Sequence, residues 1–367
     1  NINILGESWN TIILFQNSSI GFKENNKSRI KFCNFTISSF DFDKSWRDSY
    51  TYKRMFELHK GSDIEFNHIN FENINGHAIY AYHVNNMTIQ NCNFYNGGTS
   101  YLMIYSSTGR FMHNKMYADI DFENDLFVYQ RYDSHMLYFD NESENCGIGS
   151  TSTAGEGTFG LTYIIAGGRA ILDSNVDRNP RISNFGFAKY AYDCKAVNND
   201  FTSRPGYHCF WIESGTSKQH IISNNTFHTG GFGIGDNAGT NVIVSNNLFL
   251  DVDNDILGFG SQCKTVTFTN NSVTFLTEQD FAMSMPNKNT TDVQVIISNN
   301  RFFNAKAIIR VYNMSGVSPN IICNHLVTNN IIISTSTVPI GILHAGSTTL
   351  ENCIENNNIF VQHTVGE

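Results

Sequence analysis

Short apolar stretches along most of this chain are cut by paired asparagines, and one polar-to-apolar phrase keeps returning. It reads Ser223-Asn224-Asn225-Thr226-Phe227, Ser245-Asn246-Asn247-Leu248-Phe249, Thr269-Asn270-Asn271-Ser272-Val273, Ser298-Asn299-Asn300-Arg301-Phe302 and Thr328-Asn329-Asn330-Ile331-Ile332. The apolar residue closing each phrase falls at 201, 227, 249, 273, 302, 332 and 360, so the period is 22 to 30 residues, the signature of a solenoid. A second short apolar run follows each anchor, as at Phe210-Trp211-Ile212 and Ile340-Gly341-Ile342. Two or three short strands per repeat fit this spacing. No amphipathic helical run and no leucine-rich framework is visible.

The pattern therefore predicts an all-β fold, a right-handed single-stranded parallel β-helix whose coils stack at about 4.8 Å. The asparagines serve its bends: Asn tolerates the left-handed backbone conformation, and its amide can hydrogen-bond the equivalent Asn one coil away. The theme is already present at Cys33-Asn34-Phe35, Ile69-Asn70-Phe71, Cys92-Asn93-Phe94 and Asn114-Lys115-Met116. Between about 117 and 165 it fails, which predicts an irregular coil carrying a long lateral loop. A solenoid grows by adding coils, so a single domain over 1–367 suffices. No polar cap is readable before Asn1, and an upstream cap is expected to be missing.

Composition narrows the function classes. Only 16% of residues are charged and 13% are aromatic, which suits a thin apolar core covered by polar turns. A net charge of −9 without a basic patch argues against nucleic acid. No apolar stretch is long enough to cross a bilayer. The 8 cysteines lack Cys-x-x-Cys spacing, which excludes an ordinary zinc knuckle, and Cys33 and Cys92 share one register and read as core residues. No metal or cofactor is expected.

Strand alternation supplies the candidate site. With Phe210 and Ile212 facing inward, Trp211 and Glu213 face out, and the same parity places Tyr80, Tyr82, Met103, Tyr105, Gly233, Gly235, Gly258, Gly260, Ala282, Ser284, Arg310 and Tyr312 on one outer stripe. Aromatics stack on sugar rings, and a glycine-floored groove admits a polymer to the backbone. Glu213 beside Trp211 suits a general acid, and Asp236 or Asp255, one or two coils along, a nucleophile or base; one to two strand spacings fall within the carboxylate separations of glycosidases. The alternative for these aspartates is an ordinary turn. Arg204, Tyr207 and His208 precede the same strand, and such a trio could instead serve β-elimination on a uronic acid. Scarce cations in the groove favour hydrolysis of a neutral or weakly charged glycan.

The phrases Ile221-Ile222-Ser223-Asn224-Asn225-Thr226-Phe227 and Val295-Ile296-Ile297-Ser298-Asn299-Asn300-Arg301-Phe302, with Gly-Ile at Gly233-Ile234 and Gly341-Ile342, resemble the pectate-lyase-like right-handed β-helix superfamily. The opening Asn3-Ile4-Leu5-Gly6-Glu7-Ser8-Trp9-Asn10 is similar to the early coil of bacteriophage tailspikes. The resemblance implies an extracellular or virion protein acting on polysaccharide, a homotrimer in the tailspike case. Its sharply defined branches do not match: Gly76-His77-Ala78 and Gly235-Asp236-Asn237 are fragments of a polygalacturonase pattern, and Trp211-Ile212-Glu213-Ser214 departs from the pectate-lyase stretch at both polar positions. A non-catalytic adhesin using the same stripe is the other reading.

Overall fold

The computed structural model describes all residues except 1, 16–21, 40–53, 75, 98–99, 119–123, 149–160, 181–182, 215–218, 235–240, 254–256, 260–264, 288–293, 314–319, 346–348 and 364–367. The chain is an all-β parallel β-solenoid of about 10 turns, with no helix among the described residues. It falls into two compact units, Asn1–Ala191 and Tyr192–Glu367.

The second unit shows the repeat most plainly. Phe201, Phe227, Phe249, Val273, Phe302, Ile332 and Phe360, the anchors of the sequence phrase, pair coil to coil in unbroken register. All but Phe360 are fully buried. Phe227 and Phe249 stack at 4.9 Å, and on the neighbouring strand Phe210 and Phe232 stack at 4.7 Å. Ring-on-ring contact at the strand spacing is what a parallel, in-register stack imposes on identical positions.

The two asparagines of each phrase divide the work. The first makes the bend: Asn224, Asn246, Asn270, Asn299 and Asn329 have φ between 57° and 59°, a region Asn reaches more easily than most L-residues. The second is buried and bridges coils. In Asn271, Nδ2 donates to Val244 O and to Asn300 Oδ1, while Oδ1 accepts from Asn247 N and Asn247 Nδ2, all at 2.9–3.1 Å. The ladder runs through Asn199, Asn225, Asn247, Asn271, Asn300, Asn330 and Asn358.

The first unit carries its own ladder, Asn114–Asn141–Asn175, and an aromatic core that includes Phe32, Phe56, Phe66, Phe71, Phe94 and Phe111. Cys33 and Cys92 are buried there, as expected. Part of the segment read as irregular is an ordinary coil: strands Asn124–Arg131, His135–Phe139 and Glu142–Glu144 stack on their neighbours, with Asn141 on the ladder. The phrase fails there because the anchor of that coil is polar, as is the anchor of the coil after it. Ser143 and Asp177 follow Phe94 and Met116 in that column, and Ser143 Oγ donates to Asp177 Oδ1 at 2.7 Å in the core. The expected lateral loop would fall on 119–123 and 149–160, outside the described residues.

Candidate functional site

In the second unit the coil containing Trp211 begins with a tight turn. Tyr207 N donates to Arg204 O at 3.2 Å and Gly206 sits at φ +82°, the geometry of a type II turn with Pro205 and Gly206 at its centre. Only a residue tolerant of positive φ suits position 206. From two coils away the Asp253 carboxylate accepts the Gly206 amide, so Asp253 clamps the turn. Arg204 lies 5.6 Å from the centre of the Tyr207 ring, and His208 stacks on Trp211 at 5.5 Å and 27°. Arg204 is thus brought to Tyr207, and His208 to Trp211.

The glycine floor is not bare where it adjoins Trp211. A Cβ placed on Gly233 would strike the six-membered ring of the Trp211 indole, and Trp211 pairs with Gly233 in register. Gly233 makes room for the indole, which lies down on the next coil. The stripe then continues through Gly258 and Ser284 to Arg310. Arg310 is four coils from Trp211, roughly 19 Å at the strand spacing, so it does not belong to the same cluster. It sits 5.1 Å from the Phe281 ring, beside a cavity of about 460 Å³ lined by Lys306, Thr337, Val338 and Ile340 among others. Ala282, read as outward, is fully buried. The Glu213 side chain and both Asp236 and Asp255 lie outside the described residues, as do Gly235, Gly260 and the Tyr312 side chain.

The first unit carries an aromatic surface of its own, in two adjacent outward columns. One runs Lys23, Glu57, Tyr80, Met103, Tyr129 and the other Asn25, His59, Tyr82, Tyr105, Arg131. Met103 is covered by its neighbours and only 6% exposed. Tyr105 is the hub: its ring lies 5.4 Å from Tyr80, 6.4 Å from Tyr82 and 5.5 Å from Tyr132. Arg131 stands 5.2 to 5.9 Å from the rings of Tyr129, Tyr132 and Tyr105, and Arg54 lies 3.7 Å over the Tyr80 ring. Cations over phenol faces fix the rings and leave a polar rim.

At one end of this face Glu57 is nearly buried and holds three partners, Lys23 Nζ at 3.2 Å, Arg54 Nη1 at 3.1 Å and His59 Nε2 at 2.8 Å. Burial alone would raise its carboxyl; hydrogen bonds from Lys23, Arg54 and His59 and the Arg54 charge outweigh that and hold it below the usual range. Burial pushes the Tyr80 phenol up. The phrase-based reading passed over Lys23, Arg54, Glu57, His59, Tyr129 and Arg131. The parity of Phe56 and Leu58 would have carried the stripe one coil upstream to Glu57 and His59. Tyr129 and Arg131 lay in the stretch taken for an insertion.

Among the described residues no group of His, Cys, Asp and Glu is arranged to hold a metal ion, and no helix is long and apolar enough to cross a membrane. No protein-family model matches this chain, and no curated protein matches it.

Proposed function

We propose that this protein binds a surface or capsular polysaccharide along the tyrosine-rich face of its first unit and cleaves it, as an extracellular or virion-borne depolymerase of tailspike type. The observation that carries the reading is the Tyr80–Tyr82–Tyr105–Tyr129–Tyr132 array with Arg54 and Arg131 set against its rings. Phenol rings tilted 39° to 50° to one another and edged by hydroxyl, guanidinium and carboxylate groups match sugar residues, which have an apolar C–H face and a hydroxyl rim.

Cleavage is assigned to the Trp211 coil, by hydrolysis, with Glu213 as general acid and Asp236 or Asp255 as its partner. A lyase using Arg204, Tyr207 and His208 is the second reading, favoured by the clustering of those side chains around one turn. The test is to incubate the protein and a Glu213→Gln variant with a panel of capsular polysaccharides, following reducing ends and the ultraviolet absorbance of unsaturated uronates. New reducing ends without absorbance, lost in the variant, support the hydrolase. Absorbance moves the assignment to the lyase. Binding without either product leaves an adhesin.

A further inference from the structure

A second aromatic feature lies on a different sheet of the first unit. On the strands Asn93–Gly97, Lys115–Tyr117 and Glu142–Glu144 the outward residues form two columns, Asn93, Lys115, Glu142 and Tyr95, Tyr117, Glu144. The Tyr95 and Tyr117 rings stack at 5.4 Å with only 4° between their planes, and each residue is 39% exposed. The ring stack stops at Tyr117, because the next coil puts Glu144 in that column. The face of Tyr117 turned away from Tyr95 therefore looks over the Glu144 coil. Across the groove Lys115 Nζ lies 3.1 Å from Glu142 Oε2. Between the columns is a cavity of about 310 Å³ lined by Tyr95, Tyr117, Asn93, Lys115, Glu142 and Glu144, with Phe94 and Met116 behind. That is the small end of the range for ligand sites, suited to one sugar ring rather than a long segment.

We propose that this groove is a second carbohydrate site, which takes a neutral hexose ring of the same polysaccharide stacked on Tyr117 and hydrogen-bonded by Lys115, Glu142 and Glu144. The proposal rests on reading the tyrosine-rich face as a polysaccharide surface. A phenol face supplies the stacking plane, and the rim offers both acceptors (the carboxylates) and a donor (the Lys115 ammonium), which is what a polyol requires. Lys115 and, next to Glu144 in its column, Arg178 set two positive charges against the two carboxylates Glu142 and Glu144, so the site has no net charge to select an acidic sugar. Two sites on one chain make the second contact with a polymer intramolecular, raising retention without tighter individual contacts.

Isothermal titration of the whole chain with oligosaccharides of neutral glucan, mannan and galactan tests this. The parent should bind two molecules of the recognised oligosaccharide, Tyr117→Ala one and Tyr105→Ala one. Glu144→Gln, at an exposed position that leaves the fold alone, should weaken only the Tyr117-dependent site, by about fivefold, the difference between a hydrogen bond to a carboxylate and one to the neutral amide that replaces it. A parent that binds one molecule, unaffected by Tyr117→Ala or Glu144→Gln, overturns the second site and leaves the first face standing. Loss in Tyr117→Ala with none in Tyr105→Ala supports the second site and overturns the first face. No binding by the parent to any of the three probes overturns the proposal.

Discussion

Asp177 is a carboxylate placed where every neighbouring coil of the column carries an apolar anchor or its polar substitute, and replacing it with asparagine gives a sharp test of the core. It is fully buried. Its oxygens accept from Ser143 Oγ at 2.7 Å, Thr162 Oγ1 at 2.8 Å and Asn184 Nδ2 at 2.7 Å. Burial pushes its carboxyl up to about 7 from 3.8, against the opposing pull of those three donors and of the Arg178 charge; Tyr163 is another ionisable neighbour. A protonated Asp177 can be accommodated, since the Ser143 hydroxyl also lies 3.4 Å from Val176 O and can turn to donate there while accepting the proton. The sign follows from linkage. An acid raised in the folded state contributes stability that is fully present below its unfolded value near pH 4 and is lost as pH rises through about 7. A shift of about three units corresponds to about 4 kcal/mol. Asp177→Asn keeps the shape and removes the titration, so chemical unfolding of parent and variant from pH 4 to pH 8 should diverge steadily, with the variant the more stable at pH 8 by a few kcal/mol. Taking the difference cancels oppositely directed groups such as His220, which burial lowers to about 4. A difference that stays flat with pH refutes the reasoning.

Other outcomes follow from the same contacts. Asn271→Ala removes four hydrogen bonds and strands the Val244 carbonyl and the Asn247 amide in the core, which should cost about 3 to 5 kcal/mol in equilibrium unfolding; Asn270→Ala at the bend loses only the left-handed preference, about 1 to 2 kcal/mol, and Asn270→Gly should be nearly neutral. Gly233→Ala should lift the Trp211 indole and alter tryptophan fluorescence while leaving the unfolding midpoint close to the parent's. Glu57→Gln leaves Lys23 and Arg54 without their shared carboxylate; because the Glu57 carboxyl is lowered in the fold, its stabilisation is fully present above the ordinary glutamate range and is lost as pH falls below that range through the lowered folded value, so the variant's deficit should be largest at neutral pH and shrink in acid.

The architecture was legible because identical positions stack. A phrase that repeats in sequence must repeat in space, and the anchors from Phe201 to Phe360 came out in register without exception. The roles of the two asparagines were also readable, from their backbone tolerance and their amide. The first unit was read less well, since Ser143 and Asp177 replace apolar anchors by a buried hydrogen bond that hydrophobic spacing cannot signal. Alternation placed Trp211, Tyr82 and Tyr105 on the outside correctly but could not say which way a side chain leans, so the indole lying over Gly233 and the covering of Met103 were invisible. The Glu57 cluster depends on Lys23, Arg54 and His59 converging from two strands, and no local motif records such a meeting.

Cleavage of a polysaccharide first requires that the tyrosine face of the first unit hold it. Affinity electrophoresis through gels containing capsular polysaccharides, run with the parent and a Tyr82→Ala/Tyr105→Ala double variant whose unfolding midpoint matches the parent's, tests it most directly. Aromatic stacking on each ring predicts that the parent is retarded and that the variant loses about tenfold or more in affinity for the same gel. Equal retardation of the two proteins would contradict the account.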